Sequence, residues 1–292
     1  MKLADHYRPG HRGLSFELFP PKSESGLASL YETVDRLVRY DPSYFTCTFG
    51  AGGSTQGLTL KVLDAVRQRT NLPVASHLTC VGATVDQIVQ YLRQADRQGV
   101  DYIVALRGDP PRGETKFSAV AGGLSYANEL VELIRQRSPA FGIAVAGYPE
   151  VHQEALDAAT DMQYLKRKVD AGADIVITQL FYDNADFYRF RDACAANEID
   201  VPIVPGLLPI TNLAQAQRIT SLCKSRIPAS LASRLQEYDD PQWQFQIGVQ
   251  HAREQMLDLL ENDVVGVHLY VLNKSQAAEK MLEDCQFGAL AR

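Results

Sequence analysis

Eight short runs rich in β-branched and apolar residues recur along the chain, each parted from the next by a stretch of helical periodicity. They are Leu14–Phe19, Tyr44–Phe49, Val74–Cys80, Tyr102–Gly108, Ile143–Tyr148, Ile175–Tyr182, Pro202–Leu208 and Val265–Leu272. A helix between two strands carries the chain back to the end of the sheet it left. The strands are therefore expected to be parallel, with right-handed crossovers. Eight such units predict an α/β fold in which the sheet closes into an eight-stranded parallel β/α (TIM) barrel. An open doubly wound sheet uses the same units and is the alternative. The length of 292 residues is ordinary for a barrel, and 46% hydrophobic residues suffice for its core.

Local signals agree with this reading. Leu27, Leu30, Val34, Leu37 and Val38 share one helical face after the first strand. Thr84 and Gln87 have the spacing of a capping box, and Gly99 sits where a helix-ending glycine belongs. Residues 227–262 exceed the needs of one crossover helix, which predicts extra helices before the last strand. No linker or low-complexity tract interrupts the chain, so residues 1–292 are expected to form a single catalytic barrel domain.

Several function classes are disfavoured. A net charge of −6 gives no basic face for nucleic acid. The five cysteines are odd in number and never spaced Cys-x-x-Cys, and the six histidines do not cluster, so neither disulfides nor a metal site is expected. The amino terminus is too polar for a signal peptide, and no apolar run reaches the ~18 residues of a membrane span. A cytoplasmic protein without membrane contact is expected. Neither a dinucleotide-binding Gly-x-Gly-x-x-Gly nor a phosphate-binding Gly-x4-Gly-Lys-Ser/Thr loop follows a strand.

Function in a β/α barrel sits at the carboxyl ends of the strands. The first strand ends Ser15-Phe-Glu-Leu-Phe-Pro-Pro21. By strand alternation, if Phe16 and Leu18 pack under the helices, Glu17 points into the barrel mouth. Apolar surroundings favour a carboxyl's neutral form, which a general acid near neutral pH requires. A lone strand glutamate more often pairs with a structural Arg or Lys. The fourth strand runs into Arg107-Gly-Asp-Pro-Pro111, where Arg107 and Asp109 could simply satisfy each other. Thr48, His77, Tyr148 and Gln179 also lie near strand ends, and Gly50–Thr55 is a loop that a ligand could approach. Taken alone, these residues indicate a barrel enzyme with an acid on its first strand.

Together, the strand-end segments resemble the methylenetetrahydrofolate reductase family. The resemblance rests on Ser15–Pro21, His77-Leu-Thr-Cys80, Ala105–Asp109, Tyr148-Pro-Glu-Val-His152, Leu165–Ala173, Ile177-Thr-Gln179, Pro205-Gly-Leu-Leu-Pro209 and His268–Asn273. It implies a barrel that holds FAD at its carboxyl-terminal face and takes electrons from NADH or NADPH. The substrate, 5,10-methylenetetrahydrofolate, would leave as 5-methyltetrahydrofolate in a ping-pong cycle. Glu17 matches the family's general acid, which protonates folate N10 to open the five-membered ring. Asp109 matches a carboxylate that binds the pterin and tunes the flavin.

Gln179 and Gln215 match further substrate contacts, with Ile219, Tyr270 and Lys274 beside the substrate. Flavin contacts map onto Thr48, His77, Arg107, Gly108, Asp109, Tyr126, Ala127, Ala146, Tyr148, His152, Asp161, Tyr164, Arg167 and Lys168. Without the resemblance, Lys166-Arg-Lys168 would read as a solvated helix face. Three positions depart from the pattern: Ile219 replaces an aromatic, Tyr164 an asparagine and Lys274 an arginine. The regulatory domain of larger members, with its response to S-adenosylmethionine, is expected to be absent, and homo-oligomeric assembly is expected. The alternative reading is a folate-binding barrel that transfers a one-carbon group without redox chemistry; a non-catalytic subunit is a third.

Overall fold

The computed structural model describes residues 1–21, 23–49, 56–110, 113 and 117–289. The Gly50–Thr55 loop lies outside the described residues. The strands are β1 (His11–Leu18), β2 (Tyr44–Cys47), β3 (Val74–Thr79), β4 (Tyr102–Leu106), β5 (Gly142–Gly147), β6 (Ile175–Thr178), β7 (Ile203–Val204), β8 (Gly206–Leu207), β9 (Gly266–Tyr270) and β10 (Gly288–Ala289). The order β7-β6-β5-β4-β3-β2-β1-β9-β8 runs through parallel pairs throughout.

β7 and β8 are two halves of one barrel strand. β7 pairs with β6, placing Ile203 opposite Val176, whereas β8 pairs with β9, placing Gly206 opposite His268. Pro205 stands between them and offers no N–H to either neighbour, although its carbonyl accepts from His268 N at 2.9 Å. On the β6 side, Gly206 N–H donates to the Thr178 hydroxyl at 2.9 Å. The two halves thus occupy one position in an eight-position TIM barrel.

Strand alternation decides what faces where. On β1, Leu14, Phe16 and Leu18 are fully buried against Leu30, Val34 and Leu37 of helix α1 (Glu24–Leu37). Ser15 and Glu17 point the other way, into the barrel. The inner floor is closed by the 3-10 turn Leu3–His6, with Leu3 and Tyr7 packed on Tyr44, Ala75, Tyr102 and Ile175.

The crossover helices are α2 (Gln56–Thr70), α3 (Val85–Arg97), α4 (Ala127–Arg137), α5 (Ala158–Asp170), α6 (Asn184–Ala196) and α7 (Leu213–Cys223). Helix α3 carries the reciprocal Thr84–Gln87 capping box, and Gly99 follows it at φ +71°. Two extra helices, α8 (Ala229–Gln236) and α9 (Pro241–Glu261), precede β9 as expected, and α10 (Gln276–Leu282) follows it. The proline opening α9 occupies the first helical turn, where its missing N–H costs nothing, and Asp240 caps Gln242 and Trp243.

Besides the divided seventh strand, and β2 and β4 ending at Cys47 and Leu106 short of Phe49 and Gly108, the structure departs from the sequence expectations at the sixth strand and near the carboxyl end. The sixth strand ends at Thr178, not Tyr182: Gln179 N makes the last ladder bond, to the Gly147 carbonyl, and Leu180 N then bonds its neighbour's side chain. The short β10 pairs antiparallel with the start of β1, a contact that two residues without periodicity could not announce. No described helix is long and apolar enough to cross a membrane.

Candidate active site

Glu17, the penultimate residue of β1, lies at the barrel mouth with 7% of its surface exposed. Among the described residues it pairs with no Arg or Lys. Its Oε2 lies 3.4 Å from His77 Nε2 on β3 and 3.9 Å from His268 Nε2 on β9. Burial pushes the His77 imidazole down, which outweighs the pull of Glu17 and keeps the ring neutral near pH 7. His77 Nε2 also lies 3.3 Å from the Thr46 hydroxyl. The barrel thus holds a carboxyl between two imidazoles and away from bulk water.

A second group lines the ends of β4 and β5. Arg107 makes a two-pronged ion pair with Glu154 at 2.5 and 2.7 Å, not with Asp109, which is exposed. Gly108 adopts φ +89°, and a Cβ there would meet Val81 Cγ1 at 2.9 Å, so the turn needs glycine. In the Tyr148–His152 segment, the β-branched Val151 is held at φ +69°, a strained conformation of the kind that marks functional loops. His152 N–H donates to Asp161 at 2.9 Å, and the Tyr148 and His152 rings meet edge-on at 4.6 Å. Burial lowers the His152 imidazole and raises the Asp161 carboxyl from their ordinary ranges.

The three cations of α5 part company. Lys166 pairs with Asp170 at 2.6 Å on the outside, as a solvated face predicts. Arg167 is exposed over the Tyr164 ring at 5.5 Å. Lys168 turns inward, donating to the Ala146 carbonyl at 2.5 Å and lying 5.8 Å from the Tyr148 ring centre. Burial brings its ammonium down to about 8, against the opposing pull of Asp161. Tyr126 is 60% exposed at the start of α4, with Ala127 in its first turn. Thr48, half-buried just past β2, accepts from the Thr59 hydroxyl through its carbonyl.

A cleft of about 990 Å³ opens on the β8–β9 side of the mouth. Gln215, Ile219, Tyr270 and Lys274 line it, whereas Glu17, Asp109 and Gln179 do not. Gln179 sits just past β6, its side-chain oxygen accepting from Leu180 N at 2.9 Å. Tyr270 is less free than a pure ligand contact would be. Its hydroxyl donates to the Thr178 carbonyl at 2.8 Å and spans the divided strand.

Two residues of the site escaped the sequence reading. His268 stood in a matched segment, yet its approach to Glu17 depends on barrel closure between β1 and β9. Glu154 lies in a loop whose path no periodicity encodes.

Comparison with known proteins adds to this geometry. The sequence model of the family described as methylenetetrahydrofolate reductase matches residues 2–286. The chain is 39% identical to methylenetetrahydrofolate reductase (NADH) 1 of Arabidopsis thaliana over 95% of its own length and 50% of the plant protein. It is 38% identical to 5,10-methylenetetrahydrofolate reductase of Escherichia coli, covering 91% of this chain and 88% of that one. The chain therefore spans about half the length of its plant relatives and most of the bacterial one. Among solved structures, an uncharacterized protein from Clostridium thermocellum that binds two copies of 5-methyl-5,6,7,8-tetrahydrofolic acid superposes with a TM-score of 0.62. That match covers 96% of each chain at 15% identity, a likeness of fold alone.

Proposed function

This chain belongs to the methylenetetrahydrofolate reductase family, and on that premise we propose that it reduces 5,10-methylenetetrahydrofolate to 5-methyltetrahydrofolate, with Glu17 as general acid. FAD would be the resident cofactor and NADH or NADPH the electron donor. The observation that carries this reading is the Glu17 carboxyl, shielded at the strand ends beside two imidazoles. A ring-opening amine leaves poorly unless protonated, and a water-shielded carboxyl can hold a proton for it.

The side chains also fit FAD. Lys168 and Arg167 supply cations for a diphosphate, and the exposed Tyr126 and Tyr164 rings supply flat faces for an aromatic base. FAD would supply the two-electron carrier. Arg107, now neutralised by Glu154, would have to exchange that partner for a cofactor oxygen. Gln179 offers its amide NH2 to a pterin carbonyl, and the exposed Asp109 offers a carboxylate to pterin N–H groups. Gln215 and Lys274 stand where the remainder of a folate would lie along the cleft.

The defining experiment is the visible spectrum of freshly purified protein before and after anaerobic NADH. Flavin bands that bleach, then return on adding the folate, are expected. A colourless protein that binds no added FAD would overturn the reductase reading in favour of one-carbon transfer without redox chemistry.

A pH effect follows from Lys168. Its positive charge is present below about 8 and lost above it, so affinity for an anionic cofactor is expected to fall as pH rises through that value. The Lys168→Met variant is expected to bind FAD about tenfold or more weakly and to lose this pH dependence. Flavin fluorescence titration measures both; unchanged affinity would remove Lys168 from the cofactor site.

A further inference from the structure

Past Glu17 the chain leaves the barrel through Phe19-Pro20-Pro21, a stretch with one backbone N–H among three residues. The β1–β9 ladder has by then ended, at Glu17 opposite Tyr270. One side chain continues it. Phe19 N–H donates to Asn273 Oδ1 at 2.9 Å, and Asn273 Nδ2 donates back to the Phe19 carbonyl at 2.8 Å. We propose that Asn273 is a positioning residue, which fixes the span between the acid on β1 and the folate cleft.

A carboxamide carries an acceptor oxygen and a donor NH2 side by side, so it can pair with a peptide edge as a strand residue would. The sense of both bonds is fixed, because a backbone N–H only donates and a backbone carbonyl only accepts. The turn after β9 aims Asn273 back across the seam. Leu272 and Asn273 stand at φ +48° and +56°, in the left-handed region that asparagine tolerates and leucine avoids. Lys274 N–H closes the turn on the Val271 carbonyl at 2.8 Å, and the Thr33 hydroxyl of α1 donates to the Asn273 carbonyl at 3.2 Å. A left-handed leucine persists only where its surroundings hold it, as these bonds do. Among the described residues, the Phe19 N–H and carbonyl have no hydrogen-bond partner besides Asn273.

The place of the clamp gives it a function, which rests on the reading of Glu17 as acid and of the cleft as the folate site. Phe19 is two residues past Glu17, and Asn273 immediately precedes Lys274, which lines the cleft. A folate held along the cleft must bring its amine to the Glu17 carboxyl. The clamp therefore joins the two segments between which that reach is measured. Proton transfer is sensitive to such distances, and a displacement of about 1 Å can cost a hundredfold in rate. Losing the carboxamide would leave every binding group on its own segment and free the exit of the acid strand to move against the cleft wall. The limiting rate suffers, whereas affinity, carried also by Gln215 and Ile219 on α7, is largely kept.

The test is Asn273→Gly, because glycine accepts the left-handed conformation and removes only the carboxamide. In anaerobic stopped-flow, the limiting rate of folate reduction is expected to fall about tenfold, with the folate concentration for half that rate changed by less than about threefold. Flavin reduction by NADH is expected to stay unaltered. In the spectrum of 15N-phenylalanine-labelled protein, the Phe19 amide, assigned through Phe19→Leu, is expected to exchange with solvent about tenfold faster. Asn273→Asp, whose carboxylate accepts from Phe19 N–H but cannot donate to the carbonyl, should fall between the two, and it carries the test if the glycine variant does not fold. An unslowed folate half-reaction beside a released Phe19 amide overturns the proposal. So does unchanged amide exchange, or an equal loss in both half-reactions, which would mark the clamp as plain structure. An unsubstituted protein that fails to reduce folate refutes the reductase reading and takes the positioning role with it; a working enzyme indifferent to the clamp refutes this proposal alone.

Discussion

Replacing Glu17 with Gln is expected to leave reduction of the flavin by NADH intact and to slow reduction of the folate at least about a hundredfold. The amide has nearly the shape of the carboxyl, so the pocket between His77 and His268 stays filled. The His77 imidazole is not left as an uncompensated charge, since burial already keeps it neutral. On the proposed mechanism, what disappears is the proton that would turn the folate amine into a leaving group. Anaerobic stopped-flow traces of the two half-reactions separate these effects. Folate turnover at the unsubstituted rate would falsify the acid assignment, and equal loss in both half-reactions would point to a damaged flavin site instead.

The second large effect is structural. Gly206→Ala would bring a Cβ to 2.2 Å from the Thr178 carbonyl oxygen and to 2.7 Å from the Tyr270 ring. Neither the β6 backbone nor Tyr270, tied by its hydroxyl to that carbonyl, can yield cheaply. Overpacking of this kind costs about 3 kcal/mol, which for a chain of this size lowers Tm by roughly 5 °C. The seam between β6 and β9 would open and displace Tyr270 from the wall of the cleft, so folate KM is expected to rise together with the loss of stability. A thermal melt matching the unsubstituted protein would show that the seam tolerates a side chain.

The eight strand positions were legible because strand and helix leave different apolar periods, and Glu17 was placed inward by alternation with Phe16 and Leu18. The same alternation puts Ser15 on the inner face, but it cannot say what an inner residue meets across a closed barrel. The His268–Glu17 approach joins residues near the two ends of the chain, and only closure creates it. On α5, three consecutive cations fan through roughly 200°, so one of them must leave the solvent side. Which one turns inward depends on the depth at which α5 packs, and that belongs to tertiary structure. The break at Pro205 was hidden for a related reason. A proline among apolar residues marks an edge or an interruption, and here it is an interruption inside a closed sheet.

The pairing of β1 with β9 carries a consequence for how the protein is made. These strands lie side by side from Gly13–Gly266 to Glu17–Tyr270. A chain leaving the ribosome can therefore lay down β1 to β6 in order, yet it keeps an unpaired β1 edge until nearly all of it has emerged. Contacts this distant in sequence form late, and exposed edges invite wrong partners meanwhile. The acid on β1 and the imidazole on β9 meet only when that last gap shuts. Folate turnover during synthesis or refolding would thus report completion of the barrel itself, and half-built chains would be catalytically silent.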